Sequence, residues 1–186
     1  MKTCTFAGHR EVFASGVEAD IDSAIETILA NDLDFAFYTG GMGEFDSKCS
    51  AAVRKAKRTH PEKDIKLFLV EPYMKTEINE GKDYYEAFFD DVLVPIELAE
   101  VHYKKAITQR NKWMIDRSDY LIAFVHRDFG GAYETMKYAS VSGRRESPFR
   151  ARQESPDADH IKKPFLYTIE SCKLESDQTT QRKGVR

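Results

Sequence analysis

Two short runs constrain the fold most: Lys66-Leu-Phe-Leu-Val70 and Tyr120-Leu-Ile-Ala-Phe-Val125. Each is apolar at nearly every position rather than at alternate ones, so a strand formed there must be covered on both faces, as in a parallel sheet. Thr3–Ala7 and Asp34–Tyr38 read as two more strands. Between the runs the period changes. Val17, Ile21, Ala24, Ile25, Ile28 and Leu29 recur at three- and four-residue steps, which predicts an amphipathic helix to about Ala30. Ser15 with Glu18 has the spacing of a capping box at its start. Cys49, Ala52, Val53 and Ala56 form the stripe of a second helix, with Asp46 or Ser47 as its cap. Their small size lets it lie close on a sheet. A short helix and then Val92–Val94 are expected within 72–95, a helix across 97–117, and another from Gly130-Gly131 through Ala139. This alternation predicts an α/β, Rossmann-like three-layer fold, a mostly parallel sheet flanked by helices.

One domain is expected over residues 1–141, since a chain of 186 residues suits a single core. Residues 142–163 are rich in Ser, Pro and Arg without periodicity and read as a loop or disordered insert. A final strand is expected within 164–170, at Phe165–Ile169, and a disordered tail over 171–186. The net charge of −3 is uneven. Residues 142–186 hold 10 Lys/Arg and 7 Asp/Glu, leaving 18 and 24, a balance of −6, in residues 1–141. A body this acidic lacks the basic face that nucleic-acid binding uses. No apolar run approaches the ~18 residues of a membrane span. The start MKTCTFAGHR has no apolar stretch of a secretory signal. Three scattered cysteines without a CxxC pair argue against a zinc site and fit a reducing cytoplasm.

Three glycine loops follow the carboxyl ends of expected strands: Gly8-His9-Arg10, Gly40-Gly41-Met42-Gly43-Glu44 and Gly130-Gly131. In open parallel sheets those ends form the ligand crevice. Glycines there admit a ligand close to the backbone, and free amides at a helix start favour an anion. A single such loop is ordinary turn chemistry. Three on one edge point to a small molecule carrying phosphate, although neither GxGxxG nor a Walker loop is present. His9 has the chemistry of a phosphate donor or general acid, and Arg10 that of a bidentate clamp. Glu44 and Asp46 suit a ribose hydroxyl or acid–base work. Arg110 has an ordinary use in pairing with Asp116 or Asp119, and Glu134 one in the first turn of a helix. Tyr133 and Tyr138 are either core residues or base-stacking ones.

FAGHR, YTGGMGEFD, RNKWMIDRSDYLIAFV and GGAYETMKYA, in this order over residues 3–141, resemble the YpsA-like branch of the SLOG superfamily. That Rossmann-like group includes the DprA/Smf proteins and the LOG phosphoribohydrolases. The resemblance implies a domain that binds a nucleotide or a nucleotide derivative. By position it places Gly8, His9 and Arg10 at the first loop, and Gly40, Gly41, Gly43 and Asp46 at the second. Arg110 and Asn111 would face the pocket from a helix, with Gly130, Gly131 and Thr135 forming a phosphate loop. The chain departs from the LOG pattern PGGxGTxxE: Phe129 stands where that pattern has proline, and Glu134 is out of register with its catalytic Glu.

Two functions follow as expectations. One is a cytoplasmic sensor or regulatory module for a nucleotide-derived ligand, with no metal. The other is a phosphoribohydrolase-like enzyme cleaving the N-glycosidic bond of a nucleoside monophosphate, with Glu44, Asp46 or Glu134 as acid or base. A DprA-like grip on single-stranded DNA is disfavoured by the acidic body. A homodimer is expected by analogy with related folds.

Overall fold

A computed structural model describes residues 1–141 and the backbone of residues 165–168. The expected insert at 142–163 and the expected tail at 171–186 lie outside the described residues. Six strands form one sheet in the order β4-β3-β2-β1-β5-β6. They are β1 (Lys2–Gly8), β2 (Asp34–Thr39), β3 (Asp64–Val70), β4 (Asp91–Leu93), β5 (Tyr120–Phe124) and β6 (Phe165–Thr168). The first five run parallel, and β6 pairs antiparallel with the outer edge of β5. The helices are α1 (Val17–Leu29), α2 (Glu44–Thr59), α3 (Thr76–Glu80), α4 (Lys82–Phe88), α5 (Tyr103–Asp116) and α6 (Gly131–Val141). No helix among the described residues is long and apolar enough to cross a membrane.

The alternating side chains of β1 and β5 contribute to two cores. Cys4 and Phe6 of β1, Phe35 and Phe37 of β2, and Ile122 and Phe124 of β5 pack against α1 and α2. Ala7 of β1 and Leu121, Ala123 and Val125 at β5 pack the opposite way, against Ile115 of α5 and Ala132 and Ala139 of α6. Both faces are therefore covered, which is why these strands can be apolar at successive positions. The predicted helical stripes are the buried ones: Val17 through Leu29 on α1, and Cys49, Ala52, Val53 and Ala56 on α2.

Helix starts differ from expectation. Ser15 and Glu18 form no capping box, because Gly16 occupies the cap position in a left-handed conformation and the Glu18 carboxylate pairs with Lys48. The second helix begins at Glu44, earlier than a cap at Asp46 or Ser47 allows. Asp46 lies in its first turn instead, and the Ser47 hydroxyl donates back to the Gly43 carbonyl at 3.1 Å. The helix expected across 97–117 starts only at Tyr103, after a separate 3-10 turn at Ile96–Leu98. Residues 72–95 hold two short helices before β4 rather than one.

The loops after β1 and β2 lock together. The Glu44 amide donates to the Arg10 carbonyl at 2.8 Å, and the Glu44 carboxylate accepts from the Val12 amide at 3.0 Å. Gly43 sits at φ 92°, and a Cβ there would lie 2.6 Å from Arg10 Cα. A Cβ on Gly8 would enter the Phe45 ring. Gly131, by contrast, has open space around it and no left-handed strain. Gly43→Ala is therefore expected to lower the unfolding free energy by roughly 2–4 kcal/mol, from overpacking plus backbone strain. Gly131→Ala should stay within about 0.5 kcal/mol of the parent, as an unstrained surface change does. Chemical denaturation of the two variants checks the contrast.

Candidate functional site

The strand order reverses between β1 and β5, and the chain leaves those two strands toward opposite faces. A crevice opens at their carboxyl ends, as such a reversal dictates. It has a volume of about 410 Å³. The β1 loop contributes Gly8, His9, Arg10 and Glu11; the turn after β2 contributes Met42, and the first turn of α2 contributes Asp46. Ile107, Arg110, Asn111 and Met114 project from α5, and Arg127, Phe129, Gly130, Gly131, Ala132 and Thr135 close the other side.

Arg110 is only 2% exposed. Its Nη1 donates to the carbonyls of Val70 at 2.7 Å and Gly40 at 2.9 Å, at the carboxyl ends of β3 and β2. Its Nε donates to Asn111 Oδ1 at 2.9 Å, and Nη2 meets the Met42 sulfur at 3.4 Å. Asn111 in turn donates to the Thr135 hydroxyl at 3.2 Å, and that hydroxyl donates to the Gly131 carbonyl at 2.7 Å. One continuous chain of hydrogen bonds thus crosses the cleft from the β2 turn to the start of α6. The alternative use of Arg110, an ion pair with Asp116 or Asp119, is not made. Asp119 instead accepts from the Thr3 amide and hydroxyl, holding β1 to the start of β5.

Asp46 is 9% exposed, and its carboxylate accepts from the Met42 amide at 3.0 Å. Burial pushes its carboxyl up to about 6, against the pull of the Met42 amide, the Arg110 charge and the Gly40 amide. A group of this kind can both hold and release a proton near neutral pH. Glu44 does not line the cleft. It is exposed, and the Val12 amide holds its carboxyl below the ordinary range. Glu134 is exposed on the first turn of α6 and also lies outside the lining. Of the three candidate acids, Asp46 alone faces the cleft.

His9 accepts a hydrogen bond from the Arg127 amide at its Nε2, 3.3 Å away. Burial lowers its basicity, as do the neighbouring His126 and Arg127. An Nε2 that accepts is deprotonated, so His9 is a neutral donor through Nδ1 in this arrangement. Its ring meets that of His126 edge-on at 4.3 Å. Arg10 is exposed, and its guanidinium has no hydrogen bond or ion pair among the described residues. Arg127 sits beside Glu11 at 3.7 Å.

The three glycine turns have different jobs. Gly40, Gly41 and Gly43 do not line the cleft. Gly40 makes room for Arg110, whose Cζ would lie 2.6 Å from a Cβ there. The third turn is open: the first helical bond of α6 runs from the Glu134 amide to the Gly130 carbonyl, and among the described residues no side chain caps the amides of Gly131 and Ala132. Tyr133 and Tyr138 pack against the α5–α6 core, with the Tyr138 hydroxyl on Asp116, rather than lining the crevice. The aromatic side chain at the mouth is Phe129, with Ile107 and Met42 as further apolar lining. No periodic pattern marks these three residues, and only the glycine pair after Phe129 hinted at its place. Among the described residues, no cluster of three or more His, Cys, Asp or Glu could hold a metal. No protein-family model matches the chain, and no curated protein is significantly similar to it.

Two outcomes are expected at the cleft floor. Arg110→Met strands the carbonyls of Val70 and Gly40, and should lower the unfolding free energy by roughly 2–4 kcal/mol. Asp46 binds its proton more tightly folded, near pH 6, than unfolded, at the usual carboxylate value. Its contribution to stability is therefore full below about pH 4 and is lost as pH rises through 6. Asp46→Asn removes this slope, so the variant should gain about 1 kcal/mol relative to the parent between pH 5 and 7.5. Paired denaturation curves at the two pH values give the answer, and a constant difference would show that Asp46 is ionised throughout.

Proposed function

We propose that this protein binds a nucleotide or nucleotide-derived ligand at the carboxyl edge of its parallel sheet, as a sensor or regulatory module. The observation that carries the reading is the pairing, in one crevice at the strand-order reversal, of an α6 start and an Arg10 guanidinium that have no side-chain partners among the described residues. Backbone amides at a helix start and a free guanidinium are both complementary to phosphate. The phosphate is assigned to Gly130–Ala132 and Arg10, with Asn111 and Thr135 holding the α6 turn in place. The SLOG-like sequence blocks agree with this reading. The β2 turn, in contrast, acts as a structural wall that presents Met42 and Asp46.

Binding without turnover is favoured because two of the three candidate acids are turned away from the cleft. The enzymatic alternative, hydrolysis of an N-glycosidic bond, draws support from Asp46. It is buried, faces the crevice and titrates near neutrality.

Thermal shift against AMP, ADP, ATP, GTP, NAD, ADP-ribose and cyclic dinucleotides tests the proposal. A ligand at 100 times its dissociation constant should stabilise the fold by about 2.7 kcal/mol, a shift of several degrees. Arg10→Ala should abolish most of that shift while leaving the ligand-free midpoint unchanged. A panel that produces no shift defeats the reading. Any ligand that binds is then incubated with parent and Asp46→Asn proteins; turnover that vanishes in the variant while binding persists would establish the enzyme.

A further inference from the structure

We infer that Phe129 is the base-stacking residue of this cleft, and that the site reads the phosphorylated sugar while tolerating any flat base. The inference rests on the nucleotide reading above and assigns a further specificity-determining side chain to it.

Polarity is divided sharply across the crevice. Its floor holds the buried polar groups, Arg110, Asp46 and Thr135, with Asn111 bonded between the first and the last of these. A purine or pyrimidine face placed there would desolvate charged groups without satisfying them, which is costly. Sugar hydroxyls, which both donate and accept, suit such a floor. The mouth is the opposite. Phe129 is 63% exposed and Ile107 is 39% exposed, and both line the crevice. The Phe129 ring makes no contact with another aromatic ring among the described residues. It immediately precedes Gly130, so it stands beside the α6 amides assigned to phosphate. A base carried on a sugar anchored at those amides reaches the mouth, where Phe129 offers its face.

The remaining charged side chains at the mouth are committed to each other. Arg127 and Glu11 form an ion pair, and the Arg127 amide is taken by His9. Discrimination between substrates is strong where buried polar groups would otherwise be left unpaired, and weak across an apolar contact. Stacking on an aromatic face is likewise tolerant, because every base has one. The floor therefore sets what is bound, and Phe129 adds affinity without choosing the base.

Isothermal titration with AMP, GMP, CMP, UMP and ribose 5-phosphate tests the inference on the full chain. In the parent, the four nucleotides should bind within about five-fold of one another, and ribose 5-phosphate about ten-fold or more weaker. In Phe129→Ala the nucleotide affinities should fall to that of ribose 5-phosphate, and Phe129→Trp should restore them. Phe13→Ala removes another exposed ring, outside the cleft lining, and should leave AMP binding unchanged. One base preferred by about 20-fold or more, or AMP affinity untouched in Phe129→Ala, overturns the inference while the phosphate reading stands. Failure of all five probes to bind the parent overturns the inference, and the nucleotide reading falls with it only when the wider thermal-shift panel also gives no response.

Discussion

The buried guanidinium of Arg110 is the interaction on which the rest of the site depends. A charge taken out of water is tolerated only when its donors are used. Here the donors reach the carboxyl ends of β2 and β3, the neighbouring Asn111 and the thioether of Met42. This fixes α5 against the sheet edge and dictates the glycine at position 40, where a side chain would collide with the guanidinium. It also fixes Asn111, and through it Thr135 and the opening turn of α6. Lysine would not serve, because a single ammonium cannot span carbonyls of two strands and a side-chain amide in one plane. The cleft is thus held from below by Arg110 at the ends of β2 and β3 and, through Asn111, at Thr135 of α6.

Above that floor the two walls differ in rigidity for identifiable reasons. The β1 and β2 loops are bonded to each other by Glu44 on both its amide and its carboxylate, and tight packing at Gly8 and Gly43 leaves no slack. Glu44 therefore contributes by fastening the wall. The β5–α6 loop meets fewer constraints: Gly130 and Gly131 have no neighbour within 4 Å of a notional Cβ. A fixed wall thus stands opposite an open one; for the proposed anion, the open wall leaves backbone amides accessible while the fixed one limits the entropic cost of binding.

How far this was legible in the sequence depends on where the determining partner lies. The helices α1 and α2 and the strands β1, β2, β3 and β5 declare themselves through apolar spacing, because burial on one stripe or on two faces is a property of the side chains themselves. Of the glycines after three strands, Gly8, Gly130 and Gly131 line the crevice, and Gly40, Gly41 and Gly43 do not. Their division into packing glycines and an open turn was not visible, since it depends on Phe45, Arg10 and Arg110 arriving from elsewhere in the chain. The use of Arg110 was hidden for a related reason: backbone carbonyls accept its hydrogen bonds, and a carbonyl leaves no mark in the sequence. Asp46 was singled out as a helix cap or site acid. It lies in the first turn of α2 rather than at the cap position, with its carboxylate on the Met42 amide and its side chain at the crevice. The segment 72–95 gave little, and α4 explains why: none of its residues is buried, so no stripe specifies it.

Asp46 and Arg110 together give the cleft floor an ionisation state that is coupled to what enters it. The carboxyl stands near pH 6 because burial outweighs the Met42 amide and the Arg110 charge. An anion brought close to it would raise that value further, whereas hydroxyl donors placed against the carboxylate would lower it. A phosphorylated sugar supplies both effects, at opposite ends of one molecule. With phosphate held at the α6 amides, as proposed, the sugar hydroxyls would fall toward Asp46 at the start of α2, on the opposite wall. In that orientation the carboxylate gains partners for its ionised form and loses little to repulsion. Reversing the ligand would set phosphate against a carboxylate and leave the α6 amides facing an uncharged sugar. On the proposed reading, the polarity of the floor favours one orientation of a phosphorylated sugar, with any attached base at the apolar mouth.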